Sequence, residues 1–283
     1  LDRLRQCNWK EIANVAWAFA TIGHCCSQCS ESLLLDLTAE ATERLQNKVT
    51  DQPLSRDLAQ IVWALGTLQV DNFHLAASFE NLIASIRERT LHTTTLRPLV
   101  HWSCPDLIQV CLALAHARLD DQVLLRALFE EILSRMAKSA RQRPLSSGRS
   151  TFRAWEISIL LWVQARLYLT RDQGNVYAEF AQTAIGYIAT EMRLNGGLEQ
   201  VGIRSQEKAN LAWSLTVLQL FEHNQTVDVY RRIFHETASS CQIDEGMKVE
   251  HANQLWHASF LLRHELPEAV DSIPPWFDTY LEQ

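Results

Sequence analysis

The sequence predicts an all-α protein: a right-handed α-solenoid, or superhelix, of about six antiparallel helix-turn-helix repeats. Three observations predict it. A tryptophan-centred apolar stretch, clearest as 57-DLAQIVWALGTL-68, recurs six times. Taking Trp63 as position zero, its counterparts are Trp17, Leu112, Trp162, Trp213 and Trp256, at spacings of 46, 49, 50, 51 and 43 residues. Periods of this order mark stacked helical units. Finally, Gly and Pro are sparse, at 9 and 7, while hydrophobic residues make up 47%, which excludes wholesale disorder.

Each repeat position has a physical reason. Six residues before the anchor stands an acid: Glu11, Asp57, Asp106, Glu156, Glu207 and Glu250. A carboxylate there falls in the first helical turn, where free N–H groups and the dipole favour it. Four before, small residues dominate (Ala13, Ala59, Ser158, Ala209, Ala252), with Ile108 the departure. Three before stands an amide, Asn14, Gln60, Gln109, Asn210 or Asn253, with Ile159 the exception. Five after, Ile22, Leu68, Ala117, Leu167, Leu218 and Leu261 are apolar. Large Trp opposite small Ala is expected to pack in a core where helices approach closely.

In chain order, the first pair is predicted over 8–21 and 31–47. The intervening 23-GHCCSQC-29 invites zinc, but without a second ligand pair an ordinary turn is the expectation. The second pair runs through 54–68 and 73–89, with Leu75, Phe79, Leu82 and Ile86 at helical spacing. His101-Trp102, in the loop that follows, reads as an aromatic tucked against the next helix or as a binding aromatic. The third pair is 105–117 and 122–138, with Pro105 placed for a first turn. The loop 141-RQRPLSSGRS-150 is either simply solvated or a phosphate contact. The fourth pair is 152–168 and 176–192, closed by Gly196-Gly197. The fifth is 205–220 and 226–237, opened by a capping-like Ser205-Gln206-Glu207. The sixth, 249–262 and 267–281, is interrupted by 272-SIPPW-276, as terminal repeats often are. The approximate repeats are 8–48, 53–91, 103–140, 151–194, 203–240 and 247–283, in one array over 1–283.

Net charge is −7, which on its face disfavours nucleic acid. The distribution is uneven. Between Arg135 and Arg171 eight cations face one acid, Glu156, so that segment carries +7 and the remainder −14. The seven cysteines show no disulfide framework, so a reducing compartment is expected. No apolar run is long enough to span a membrane. Leu1 in place of Met predicts a mature form, a fragment or a trimmed chain, any of which leaves room for a lost targeting peptide.

Positions −7, −3 and +4 share one helical face. They hold Lys10, Asn14 and Thr21; Arg56, Gln60 and Thr67; Pro105, Gln109 and His116; Trp155, Ile159 and Arg166; Gln206, Asn210 and Val217. Stacked, they make a polar ribbon whose amides suit the edges of unpaired bases. The alternative is structural: buried amides bonding the backbone of the adjoining repeat. Lys10, Asn14, Arg56, Gln60, Gln109, His116, Arg141, Arg143, Arg149, Arg153, Arg166 and Asn210 are the candidate RNA-binding residues.

The segments 12-IANVAWAFA-20, 58-LAQIVWALG-66 and 208-KANLAWSL-215 resemble the octotricopeptide repeat, and the related repeats of the Fas-activated serine/threonine kinase and RAP-domain families. The resemblance covers nearly the whole chain. It implies paired antiparallel helices that bind single-stranded or structured RNA in the mitochondrial matrix or chloroplast stroma. The work implied is RNA processing, stability or translation, or a place on ribosomal RNA as an accessory ribosomal component. Three features depart from the pattern: longer spacings than the family's, no Trp in the third copy and no amide in the fourth. No C-terminal RAP module is visible. An acidic protein-binding scaffold within a larger complex is the alternative. No nucleophile motif, Gly-rich phosphate loop or metal-ligand pair appears, so no enzyme, cofactor or metal is expected.

Overall fold

A computed structural model describes residues 4–22, 28–47, 53–68, 73–91, 99–142, 152–170, 175–222, 225–243, 248–271 and 273–282. Among these, thirteen α-helices and four short 3-10 turns account for all regular structure, with no strand. Contacts divide the chain into two compact units, Leu1–Thr151 and Phe152–Gln283.

The first unit holds α1 (Trp9–Ile22), α2 (Gln28–Gln46), α3 (Ser55–Leu68), α4 (Phe73–Leu91), α5 (Cys104–Ala117) and α6 (Gln122–Gln142). The Trp-register helices α1, α3 and α5 pack side by side, and α2 packs against α4. The second unit repeats the scheme with α7 (Ala154–Arg166), α8 (Asn175–Asn195), α9 (Ser205–Val217), α10 (Thr226–Ile243) and α11 (Val249–Glu265). There α7, α9 and α11 are neighbours, and α8 touches α10. The predicted break in the last segment separates α12 (Pro267–Val270) from α13 (Pro275–Glu282).

Close packing follows from the small positions. Ala13, Ala59, Ser158 and Ala209 are fully or almost fully buried. Gly66 goes further: a Cβ on it would lie 2.7 Å from the Ala113 carbonyl oxygen of α5. The core is filled from the adjacent register, five before the anchor, by Ile12, Leu58, Leu107 and Ile157.

In four of the six copies the acid at −6 is the third residue of its helix and reaches back to the capping residue. Glu11 accepts the Asn8 N–H at 2.8 Å, Asp106 the Ser103 N–H at 3.1 Å, and Glu156 the Arg153 N–H at 2.7 Å. Glu207 accepts the Arg204 N–H at 3.1 Å. Asn8 and Ser103 return the bond with their side chains, which satisfies two orphan donors at each helix start. The fifth repeat corrects the expected frame: the cap is Arg204, not Ser205, so its acid does stand three residues later.

Two further regularities appear. Arg118, Tyr168 and Gln219 each stand six after the anchor, and each has φ near +50°. They end α5, α7 and α9 in the left-handed conformation that usually falls to glycine. In addition, the second helix of a repeat clamps the turn preceding its first helix. Arg44 of α2 donates to the carbonyls of Leu4, Arg5 and Cys7. Arg135 of α6 reaches Leu99 and Val100, and Tyr187 of α8 reaches Phe152. Glu236 of α10 accepts the N–H groups of Leu198 and Glu199.

Candidate nucleic-acid interface

The anchor series does not fill the core as expected. Trp63, Leu112, Trp162, Trp213 and Trp256 are only half-buried, and Trp17 is 47% exposed. Helical geometry gives the reason. Position zero lies three residues after −3 and four before +4, so it shares the face of the polar ribbon. In the first five copies the buried positions are its neighbours at −5, −4 and −1. Each unit therefore presents, on successive helices, an aromatic or apolar side chain in line with amides and cations.

In the first unit this face encloses an open groove of about 560 Å³. Asn14 and Trp17 of α1, Arg56 and Gln60 of α3, and Pro105 and Gln109 of α5 line it. The N-terminal turns of α3 and α5 converge there, with their positive dipole ends. Lys10 and Arg56 are exposed beside them. Burial raises the Asp57 carboxyl above its ordinary range, and the Arg56 and Lys10 charges oppose that shift. Asp106, at the groove floor, spends its carboxylate on the Ser103 N–H and on the Ser55 hydroxyl at 2.9 Å.

The amides divide between the two readings left open by the sequence. Gln60 donates through Nε2 to the Ala13 carbonyl at 3.1 Å, a structural bond to the preceding repeat. Asn210 accepts from Gln254 Nε2 at 2.9 Å, again across repeats. Asn14 and Gln109 line the groove without a hydrogen-bond partner among the described residues. His116 Nδ1 lies 3.3 Å from the Thr67 hydroxyl, which itself donates to the Trp63 carbonyl.

In the second unit the face carries Trp162, Asn210, Trp213 and Trp256, with Arg153 exposed at the start of α7. Trp155, expected on the ribbon, backs onto the turn before α9. Gly202 has φ +85°, and a Cβ there would fall 2.9 Å from the Trp155 ring. Arg166 buries its Nε with no hydrogen-bond partner among the described residues. Trp256 stacks on Phe260, with centroids 5.6 Å apart and planes 21° from parallel.

Several expectations resolve differently or fall elsewhere. Trp102 is buried, which selects the tucked reading. Arg143, Arg149 and the side chain of Arg141 lie outside the described residues, as do His24, Cys25, Cys26 and the Cys29 side chain. Among the described residues no cluster of His, Cys, Asp or Glu could hold a metal ion, and no helix is long and apolar enough to cross a membrane.

Sequence reasoning missed Lys208. It stands at −5, where the first four repeats have Ile or Leu, and is fully buried. Its Nζ meets Glu199 at 2.7 Å and Glu236 at 3.4 Å, and Arg232 completes the network against Glu236. The break in the apolar register was the available signal. The Lys208 hydrogen bond holds the Glu199 carboxyl below its ordinary range. This network ties the turn before α9 to α10 and is structural.

Compared with protein-family models, curated proteins and solved structures, the chain finds no match.

Proposed function

We propose that the chain is an RNA-binding helical-repeat protein, an α-solenoid of about six units that binds unpaired RNA on the tryptophan face of its first helices. The carrying observation is that the half-exposed Trp series shares one helical face with the amides and with Lys10, Arg56 and Arg166. Half-exposed rings offer stacking surfaces to any base, amides meet base edges, and cations meet phosphates. A net charge of −7 concentrates such binding where cations stand rather than over the whole surface. The resemblance to octotricopeptide repeats adds an organelle as the setting, with either transcripts or ribosomal RNA as the ligand.

Fluorescence anisotropy with a labelled unstructured RNA of ~12 nucleotides tests the reading. The single strand is expected to bind more tightly than its duplex. Trp17→Ala and Trp213→Ala should each weaken it by ~1–3 kcal/mol, the worth of one stacked base. Absence of binding at ~50 mM salt would instead favour the acidic protein-binding scaffold.

A further inference from the structure

We infer that the groove of the first unit prefers bases bearing an exocyclic amine, and that Gln60 sets this preference. The inference rests on the RNA reading and deepens it. Gln60 lines the groove between Trp17 and Gln109. Its orientation is not free. The atom facing it across 3.1 Å is the Ala13 carbonyl oxygen, which can only accept. The amide nitrogen of Gln60 must therefore turn toward α1, and a flip would set two oxygens against each other.

This fixes the other end of the amide. Oε1 has no partner among the described residues and is not a buried orphan, so it is left as an acceptor open to solvent. Asn14 and Gln109, which make no such bond, can rotate to donate or accept. Gln60 cannot follow them. Among pyrimidines, cytosine offers a protruding amine to a fixed acceptor. Uracil carries a carbonyl oxygen at that position, and its N3–H is recessed between two oxygens that the Gln60 carbonyl repels. Because the two rings differ little in size, stacking on Trp17 leaves this difference to the edge. One hydrogen bond of this kind amounts to about 2- to 10-fold in affinity.

The test compares labelled oligocytidylate with oligouridylate of ~10 nucleotides at one salt concentration. Cytidylate should bind about 2- to 10-fold more tightly. The ratio should fall to about one in Gln60→Met, as cytidylate loses its hydrogen bond and uridylate its repulsion. A wild-type ratio of one or below overturns the inference, as does a ratio retained in a Gln60→Met protein that melts like wild type. Should Gln60→Met fail to fold, an oligomer of pyrimidin-2-one ribonucleoside, which lacks the amine, serves with wild-type protein. It should bind more weakly than cytidylate, and binding as tight as cytidylate overturns the inference. Equal binding of both natural oligomers leaves the RNA reading standing. Binding of neither removes both.

Discussion

Gly66→Ala sets two effects against each other at a close approach of α3 to α5. In an isolated helix the change gains about 1 kcal/mol, because glycine loses more backbone freedom on folding than alanine. In this fold the new Cβ would lie 2.7 Å from the Ala113 carbonyl oxygen, 2.9 Å from its Cβ and 3.0 Å from its Cα. Ordinary contact begins near 3.4 Å, so α3 and α5 must part locally by about 0.7 Å. Two of the three atoms met are backbone, which a rotamer change cannot move. Overpacking of this kind costs ~1–3 kcal/mol, and here the upper half of that range applies. The net expectation is a loss of ~1–2 kcal/mol, or a fall of ~2–8 °C in the melting transition. Ala113→Gly should be less harmful in the Gly66→Ala background than alone, because it removes one of the three contacts. Thermal and urea melts of the four proteins measure this. A Gly66→Ala protein as stable as wild type would refute the close-packing argument.

Three other outcomes follow from the structure. Replacing Arg118 or Gln219 by Gly relieves a left-handed residue at a helix end and should stabilise by up to ~1 kcal/mol, read as a higher melting midpoint. Glu199, held low by Lys208, contributes stability that is present above its ordinary value of 4.5. That contribution is lost as pH falls through the lowered value. Acid titration followed by circular dichroism should therefore show less acid-dependent loss between 4.5 and lower pH in Lys208→Met than in wild type. Finally, Lys10→Gln with Arg56→Gln should flatten the salt dependence of RNA affinity by ~0.7 per lost phosphate contact, measured as the slope of log affinity against log salt.

Much of the helical order was legible because the apolar period is strong. The predicted segments at 8–21, 54–68 and 122–138 correspond to α1, α3 and α6 within a few residues. The acids at −6 were legible as first-turn residues, since the dipole argument needs no tertiary information. Their reach to the capping N–H depends on where the helix begins, and one residue of frame decided it at Arg204. The exposure of the tryptophans was misread. Size and aromaticity suggested core, while the register already placed position zero on the polar face, and register prevailed. Gln60 was ambiguous in principle, because a bond to a neighbouring backbone depends on how closely α1 and α3 pack. The clamps from Arg44, Arg135 and Tyr187 join residues 35–40 apart, beyond any local pattern.

Ultraviolet crosslinking of the protein to bound RNA, with mass spectrometric mapping of the modified residues, addresses the central claim most directly. The predicted result is crosslinks at Trp17, Trp63 and Trp213 and at their neighbours on α1, α3 and α9. Crosslinks confined to α2, α4, α8 and α10, or none at all, would contradict it.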